Sequence, residues 1–431
     1  GSASGAILSD SELDNITTTG TLTIGQATTK GSDGAGTSAS TLTSGAITFD
    51  ELTLGSKKVA LVSNSTINDD DDTGTSLTTS GTLTITSSGN IGDSGGSQGL
   101  DLDVGTLSIT GTGSGNVILT EASTLLLGAT TIGGTFSATA TTGDITDSGA
   151  LAITGAATFI TGATGSNIIL DGSSNAFGAA VTMTADDGTE AFGNITFVDS
   201  AAIDLDSSAS ANGDLFINAG TDGALSGNLS ITATTGNITQ NIALTIGGTS
   251  SFTTSASNAT ITLSTDSNAF TGAVSASTAG SSGDITIDNG TTALNIGTLT
   301  ANGDLSIRGG NGITDSGVIT ASGTSLFHSD VTGKVITLDS TNAMTGAVSI
   351  THTGSANVAI DNGTTALNLG TVSAGQNFEA RSGAGITDSG VITVAGTSLF
   401  HSDVSGQVIT LDSANAMTGA VSITHTGSAN V

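Results

Sequence analysis

An internal repeat is the feature that most restricts what this chain can fold into. The run GITDSG at residues 312–317 returns unchanged at residues 385–390. Looser relatives are DITDSG at residues 144–149, NITQN at residues 237–241 and NIGDSG at residues 90–95. Repeats of this kind are typical of architectures in which one structural unit is stacked on the next.

The spacing of these runs predicts the size of the unit. Successive runs are 54, 93, 75 and 73 residues apart, measured between the isoleucines that they share, Ile91, Ile145, Ile238, Ile313 and Ile386. The spacings differ by about 18 to 20 residues, as expected if whole coils were inserted or removed. We therefore predict coils of about 18–19 residues, about four of them in the 73-residue block and about 23 in the chain.

Composition indicates that the coils are built from β-strands. The chain has 63 glycines and no proline, and proline is excluded wherever backbone amides must pair between strands. Short segments rich in Ser, Thr, Val, Ile and Leu alternate with turns of Gly, Asn, Asp and Ser, which is a strand pattern. We predict an all-β fold, a parallel β-solenoid.

A second repeated motif predicts which side chains fill the core. NAFGAAV (residues 175–181) and NAFTGAV (residues 268–274) correspond to NAMTGAV at residues 342–348 and 415–421. A position that accepts either phenylalanine or methionine requires only volume and an apolar surface. We predict that these side chains lie in the core with the phenylalanines that close other strands: Phe136, Phe159, Phe177, Phe252, Phe270, Phe327, Phe400, Met344 and Met417.

Charge and the missing residue types exclude several classes of function. The chain has six basic and 37 acidic residues, for a net charge of −31. This charge repels phosphate backbones and excludes nucleic acid as a partner. The absence of cysteine excludes disulfides and thiolate metal sites. No run of 18 apolar residues is present, so we predict no membrane insertion in this segment.

The chain divides by the regularity of its repeats. We expect residues 1–80 to form an irregular start of the solenoid and residues 81–431 its regular repeats, with the 73-residue block duplicated within residues 285–431. Gly1 and Ser2 are interpreted as a cloning scar. The final letters THTGSANV also occur at residues 351–358, where AIDNGTTALNLG follows. Val431 therefore lies in mid-repeat, and we expect this chain to be a fragment of a longer protein.

The phrases GxITxSGxLxITGTxxF and NAFTGAV, set in coils rich in Gly, Ser and Thr, resemble the repeat regions of very large bacterial surface and secreted proteins of the filamentous haemagglutinin kind. The resemblance covers nearly the whole chain, most clearly from about residue 80 onward. It implies a right-handed parallel β-helix that is exported across the outer membrane to an extracellular or cell-surface location. It also implies a structural, non-catalytic role as the shaft of a filament or adhesin.

One segment contains the residue types of a hydrolytic triad. GTSLFHSDV, at residues 323–331 and again at residues 396–404, places Ser325, His328 and Asp330 within six residues. Because neighbouring strand residues point to opposite faces, Ser325 is expected to face away from His328. We predict no catalytic residues, and we expect this protein not to be an enzyme.

No metal or cofactor site is predicted. His328 and His352 are 24 residues apart, which is not a multiple of the predicted coil, and His328 and His401 are 73 apart, about four coils or near 19 Å, so neither pair can share one ion. We interpret the histidines as surface or turn residues. The run from Asp69 to Asp72 contains carboxylates that calcium could use, but adjacent side chains diverge, so we interpret it as a solvated acidic turn.

Two alternatives to a structural role remain: a calcium- or ice-binding solenoid module, and a polysaccharide-active β-helix enzyme. An enzyme of that kind is expected to stack sugar rings on aromatic side chains, and this chain has no Trp or Tyr. An ice face requires TxT pairs on every coil, whereas these are irregular: Thr21/Thr23, Thr41/Thr43, Thr82/Thr84 and Thr260/Thr262. The expected partners are other copies of the chain, end to end or in filaments, and a host, surface or polysaccharide.

Overall fold

Parallel β-strands form almost all of the regular structure, and the predicted all-β solenoid is confirmed. The structure is a computed structural model, and it describes residues 10–25, 45–49, 51–69, 74–92, 99–111, 113–185, 193–206, 214–217 and 224–427. A single short helix, α1 (Asp10–Asp14), occurs among these residues. None of the helical structure in the described ranges reaches the length and apolarity needed to span a bilayer.

Within the described ranges, forty-five strands follow the helix. The first twenty are β1 Thr21–Gly25, β2 Ile47–Phe49, β3 Leu52–Thr53, β4 Lys58–Ser63, β5 Ile67–Asp69, β6 Leu77–Ser87, β7 Leu100–Gly111, β8 Val117–Glu121, β9 Leu125–Leu127, β10 Thr130–Ile132, β11 Phe136–Ala140, β12 Ile145–Asp147, β13 Leu151–Ile153, β14 Ala157–Thr161, β15 Ile168–Leu170, β16 Ala176–Phe177, β17 Val181–Ala185, β18 Ile195–Asp199, β19 Ile203–Leu205 and β20 Asp214–Ile217.

The remaining strands follow β20 along the chain. They are β21 Leu229–Ala233, β22 Ile238–Gln240, β23 Thr245–Ile246, β24 Ser250–Ser257, β25 Ile261–Leu263, β26 Ala269–Phe270, β27 Val274–Ala279, β28 Ile285–Asp288, β29 Leu294–Ala301, β30 Leu305–Arg308, β31 Ile313–Asp315, β32 Ile319–Ala321, β33 Ser325–Ser329, β34 Ile336–Leu338, β35 Ala343–Met344, β36 Ala347–His352, β37 Val358–Asp361, β38 Leu367–Ala374, β39 Phe378–Ser382, β40 Ile386–Asp388, β41 Ile392–Val394, β42 Ser398–Ser402, β43 Ile409–Thr410, β44 Ala416–Met417 and β45 Val421–His425.

The chain forms two compact units. Gly1–Ser200 and Ser208–Asp222 make up the first, and Ala201–Ser207 and Gly223–Val431 make up the second. Strand β19 therefore belongs to the second unit with β21 to β45, and the other strands belong to the first. Within each unit the strands pair in parallel with strands of the next coil.

Strand register corrects the predicted coil length. Phe136 pairs with Ala157, and Ala157 pairs with Val181 one coil further on. The described residues of the two units form about 15 turns, with coils of about 23 residues, so the predicted 18–19 residues per coil and about 23 coils were wrong. The prediction failed because it treated differences between repeat spacings as whole coils, and the repeats do not contain a whole number of coils.

The 73-residue repeat is three coils and one further strand long. We use the word column for strands stacked by parallel pairing, and one column consists of β31, β34, β37, β39, β42 and β45. Three coils above Ile313 this column reaches Phe378. The repeat equivalent of Ile313 is Ile386, which pairs with Leu367 in a different column. Equivalent residues of the two copies therefore lie on different faces, and the predicted four-coil block was wrong.

Two long strands produce this change of column. Strands β29 and β38 each pair with two successive strands of the next coil, β29 with β31 and β32, and β38 with β40 and β41. Gly370 marks the middle of β38, where a Cβ atom would collide with the Ser349 hydroxyl of the preceding coil. A side chain at this position would therefore require the Ser349 hydroxyl to move, while the backbone atoms of the preceding coil lie at ordinary contact distance.

Inward positions alternate with outward ones, as a strand repeat of two residues requires. In β14, Ala157, Phe159 and Thr161 are buried, and the residues between them are half-buried. The predicted core phenylalanines are all buried, and several stack, with ring centroids 5.4 Å apart for Phe136 and Phe159. Met344 is also buried, but Met417 is only half-buried, so the prediction was wrong for Met417.

Candidate functional site

The strands of the GTSLFHSDV segments separate the residues of the supposed triad. In β33, Ser325 and Phe327 point inward and are buried, whereas His328 lies on the outer face with a third of its side chain exposed. Ser325 therefore faces away from His328, as the strand alternation predicts. The Ser325 hydroxyl and the His328 imidazole do not meet in a triad.

The hydroxyl group that contacts His328 belongs to Thr351. His328 Nδ1 lies 2.7 Å from Thr351 Oγ1, and His328 Nε2 lies 3.0 Å from Asp330 Oδ1. Thr351 comes from the next coil, because parallel pairing of β33 with β36 places it beside His328. The result is a hydroxyl–imidazole–carboxylate relay on the outer surface.

The second copy of the segment forms the same relay. His401 Nδ1 lies 2.7 Å from Thr424 Oγ1, and His401 Nε2 lies 2.9 Å from Asp403 Oδ1. Pairing of β42 with β45 positions Thr424. We name these two sets of residues, Thr351–His328–Asp330 and Thr424–His401–Asp403, relay 1 and relay 2.

Sequence reasoning missed the two threonines because of the coil length. Each lies 23 residues after its histidine, which is one coil of the size that the strand register gives and not of the predicted size. The two relays also belong to different columns, since β33 pairs with β30 and β36 and β42 pairs with β39 and β45. The expectation that His328 and His401 stack four coils apart was wrong.

Arginine distinguishes the two relays electrostatically. Arg308, one coil before His328, donates from Nε and Nη2 to both oxygens of Asp330, at 2.7 and 2.8 Å. These hydrogen bonds hold the pKa of Asp330 below its usual range. The equivalent residue, Arg381, instead donates to Glu379 at 2.7 Å. Among the ion pairs of the described residues, Asp403 pairs with His401 only.

The two motifs found by repetition are bonded to each other. Asp315 closes the ITD run, and its Oδ2 accepts from the side-chain amide of Asn342 at 2.8 Å. Asn342 Oδ1 accepts in turn from the Ile319 backbone amide at 2.8 Å. The same Asp–Asn bond joins Asp147 to Asn175 and Asp388 to Asn415. We call this contact the Asp–Asn bridge.

The looser copy of the motif keeps the bridge with different chemistry. Gln240 stands where the other copies have aspartate, and Asn268 Nδ2 donates to Gln240 Oε1 at 3.0 Å. Asn268 Oδ1 accepts from the Leu244 amide at 2.8 Å. Hydrogen bonding between coils, and not a particular charge, is therefore what the motif preserves.

Comparison with known proteins assigns the repeats. The family model described as repeats of unknown function (DUF5649) matches residues 114–184, 192–277, 282–351 and 355–424. The chain belongs to this repeat family. Neither the curated proteins nor the solved structures contain a match to the chain.

Each DUF5649 repeat has a buried polar side chain at the same offset from its start. In the last three repeats the short NAF or NAM strand of the preceding coil ends there, and one of its amides donates to this side chain in place of a further strand, whereas in the first repeat the donor is Val104 N of β7. Phe270 N donates to Asn289 Oδ1 at 2.7 Å, and Met344 N to Asn362 Oδ1 at 2.8 Å. The four residues at this column-end position are Glu121, Asp199, Asn289 and Asn362.

The column-end amides satisfy donors and acceptors together. Asn362 Nδ2 donates to the carbonyls of Met344 and Ala366, both at 2.9 Å, while its oxygen accepts from Met344 N. A side-chain amide therefore replaces the peptide group that another strand would supply. An ionised carboxylate accepts only, so Glu121 and Asp199 in the earlier DUF5649 repeats provide different chemistry at the same place.

Glu121 is the clearest case of a perturbed acid. It is fully buried, and its two oxygens accept from Val104 N at 3.1 and 3.3 Å. Burial raises its pKa from 4.5 to about 7. The Ser123 hydroxyl lies 3.2 Å from Glu121 Oε1 and 3.1 Å from Asp103 Oδ1. Because this hydroxyl carries a single proton, it can donate to only one of the two carboxylates at a time.

Asp69 and His352, two further residues considered from the sequence, make hydrogen bonds within the fold. Asp69 Oδ2 accepts from Ser76 Oγ at 2.9 Å, whereas Asp70, Asp71 and Asp72 lie outside the described residues. His352 was expected at the surface, but it points inward and is buried, because its neighbour Thr351 faces out. Its Nε2 accepts from Gly375 N at 2.9 Å.

Metal sites and threonine faces are the remaining site types that the sequence raised. Across the described ranges, no three His, Asp or Glu side chains come close enough together to hold a metal ion. Thr82 and Thr84 pair with Thr106 and Ser108 of the next coil. Thr41 and Thr43, from another predicted TxT pair, lie outside the described residues.

Proposed function

We propose that this chain is a structural, non-catalytic segment of an extracellular bacterial filament or adhesin, of the filamentous haemagglutinin kind, and serves as its shaft. The Asp–Asn bridge carries the proposal. It uses the polar groups of both repeated motifs to bond one coil to the next. Recurrence of such residues is what a stacking role requires, because each coil contacts only its neighbours.

Core composition also supports a mechanical role. The inward positions are filled by Val, Ile, Leu, Phe and Ala at successive coils, and buried polar residues at the column ends are hydrogen bonded to the stack. Close packing of this kind resists deformation. The core therefore suits a load-bearing segment.

Location is the property that tests the proposal directly. Antibodies raised against this chain should label intact cells of the organism that produces it, in immunogold images of surface filaments. A strain in which the coding region is deleted is the matched control. Labelling that appears only after the cells are permeabilised would contradict an extracellular shaft.

Partners follow from the same proposal. We propose contacts with other copies of the chain and with a host, surface or polysaccharide, while a net charge of −31 opposes nucleic acid. The charge also opposes association between copies, so association should increase as salt is raised from low to physiological concentration. Sedimentation velocity measures this, and a weight-average mass that is independent of salt would argue against self-association.

A further inference from the structure

The two relays lie on the outer surface, and the proposed structural role gives them no function. Both place a threonine hydroxyl, an imidazole and a carboxylate in line, with matching distances in two separate columns. His328 and His401 keep 33% and 24% of their side chains exposed. Thr351 is half-buried and Thr424 is exposed. The hydroxyls are therefore accessible to a small reagent.

The carboxylate determines which way the hydroxyl bond runs. An ionised Asp330 or Asp403 only accepts, so it takes the hydrogen on Nε2 of its neutral histidine. Nδ1 is then without a hydrogen and must accept from the threonine hydroxyl. This tautomer, inferred from the hydrogen-bond geometry, places a basic nitrogen 2.7 Å from each threonine hydroxyl oxygen.

We propose that Thr351 and Thr424 are acyl-acceptor sites, with hydroxyl groups that their histidine–aspartate pairs activate toward activated esters. This inference concerns covalent modification of the surface and is independent of the structural role proposed above. Nucleophilic use of a hydroxyl requires an adjacent base that is itself oriented by a third group. Both relays supply these three parts.

The reaction balances without any further reactant. The threonine oxygen attacks the acyl carbonyl of the ester, and histidine Nδ1 takes the hydroxyl proton. Collapse of the tetrahedral intermediate breaks the bond to the alcohol or phenol, which leaves with the proton from the imidazolium. The products are an O-acyl threonine and the free alcohol or phenol, and aspartate stabilises the imidazolium while it exists.

The backbone amides two residues after the relay threonines cannot serve as an oxyanion hole. An oxyanion hole requires free donors beside the nucleophile, but the amides two residues further on are engaged. Thr353 N donates to Ser329 O, and Thr426 N donates to Ser402 O, both at 2.9 Å. We therefore expect stoichiometric acylation of each threonine and slow hydrolysis of the resulting ester.

The test uses p-nitrophenyl acetate with the full chain. Released p-nitrophenolate gives the rate, and peptide mass mapping gives the acetyl occupancy of each residue. Thr337 is the matched control threonine, because it also faces outward on a strand but has Thr314 and Ala359 as ladder neighbours. We expect occupancy at Thr351 and Thr424 to exceed that at Thr337 by at least about tenfold, as base catalysis predicts.

Variants of the two histidines separate the relays from each other. His328→Gln should reduce acetylation of Thr351 to the level of Thr337 and leave Thr424 unchanged, and His401→Gln should do the reverse. Ser325→Ala, on the buried face, should change neither. Circular dichroism checks that each variant retains the β-fold.

Two results would overturn the proposal. One is equal occupancy of Thr337, Thr351 and Thr424, which would mean that the relays do not activate the hydroxyl. The other is an unchanged rate of p-nitrophenolate release in the double variant Thr351→Val, Thr424→Val, which would mean that imidazole or lysine attacks the ester directly.

Discussion

At the scale of single residues, the column-end position shows how one site tolerates two chemistries. Asn289 and Asn362 donate and accept, whereas an ionised Glu121 in an earlier repeat can only accept. A protonated Glu121 recovers a donor, which burial favours by raising its pKa to about 7. At Asn289 and Asn362 the position uses a donor, and protonation would let Glu121 supply one as well.

Replacing Glu121 by glutamine should flatten part of the pH dependence of stability. The folded pKa of about 7 lies above the ordinary 4.5, so between these values the folded state binds more protons than the unfolded state. The free energy of unfolding therefore falls as pH rises through this interval, by about 3 kcal/mol in total. Chemical denaturation at pH 5 and pH 8 measures the fall, which should be absent in Glu121→Gln.

A matched exposed glutamate provides the control for that experiment. Glu379 has 42% of its side chain exposed, and Glu379→Gln should leave the difference between pH 5 and pH 8 as in the unsubstituted chain. If Glu121→Gln kept the full difference as well, another group would be responsible for it.

The converse substitution tests the donor requirement. In Asn362→Asp, an ionised carboxylate would face the carbonyls of Met344 and Ala366 without a hydrogen to give them. We expect a loss of about 2–4 kcal/mol at pH 8 and a smaller loss at pH 4, where the carboxyl group is protonated. Denaturation with guanidinium at the two pH values gives both numbers.

Asn357 offers a control with the same change of residue. Its Oδ1 accepts from Asn377 N at 3.1 Å, and it lies at the surface. An aspartate there can still accept this bond, so Asn357→Asp should be nearly neutral at both pH values. Equal losses for the two variants would show that added charge, and not the lost donor, destabilises the fold.

At the scale of strands and motifs, the Asp–Asn bridge explains why ITD and NAF or NAM recur together. Asp315 at the end of β31 also accepts from the backbone amide of Asp339 at 2.9 Å, so one carboxylate holds both ends of the connection between β34 and β35 in the next coil. Burial raises the pKa of Asp315 despite these bonds. The motif is therefore a connection between coils.

A double-mutant cycle should measure this connection. We expect Asp315→Ala and Asn342→Ala each to destabilise the second unit, and the double variant to lose less than the two losses combined. The coupling should be about 1–3 kcal/mol, since the two side chains share a partly buried hydrogen bond between a carboxylate and an amide. Additive losses in guanidinium denaturation would show that the two side chains act independently.

The two NAM methionines provide a test of burial at constant sequence context. Met344 is fully buried, whereas Met417 occupies the equivalent place in the last described coil and is only half-buried. Met344→Ala should cost about 2–5 kcal/mol, and Met417→Ala should cost clearly less. Thermal denaturation of both variants compares them, and equal costs would contradict the burial argument.

Sequence was sufficient for the strand composition, the buried phenylalanines and the direction of Ser325, because each depends on local alternation. It was insufficient for Thr351, which reaches His328 only through the register between coils. Contacts across coils depend on a coil length that the repeat spacing does not reveal. The column-end residues were missed for a similar reason, since Glu121 and Asn362 look unrelated until strand pairing aligns them.

At the scale of the whole molecule, the length of the DUF5649 repeat should control which deletions are tolerated. Removing residues 282–354 joins the second matched repeat to the fourth with the spacing that the third had. We expect this 73-residue deletion to fold, because every strand finds the partner that its repeat equivalent had. Circular dichroism should show unchanged β-signal per residue and a cooperative melt.

A deletion of half this length is the control. Removing residues 282–317 takes away a fraction of a coil as well as a whole one, so the following strands would meet partners of the wrong register. Loss of cooperative melting is expected. Equal folding of the two deletions would show that the stack does not depend on repeat length.

The extra strand in each 73-residue copy has a consequence for how such a chain can evolve. A tandem duplication normally displays the same side chain again in the same direction. Here Asp288, Arg308 and His328 form a ladder in one column, and their counterparts Asp361, Arg381 and His401 form it in another. Duplication of a gene segment would thus distribute a newly acquired surface group around the circumference and make it reachable from several directions without any further mutation.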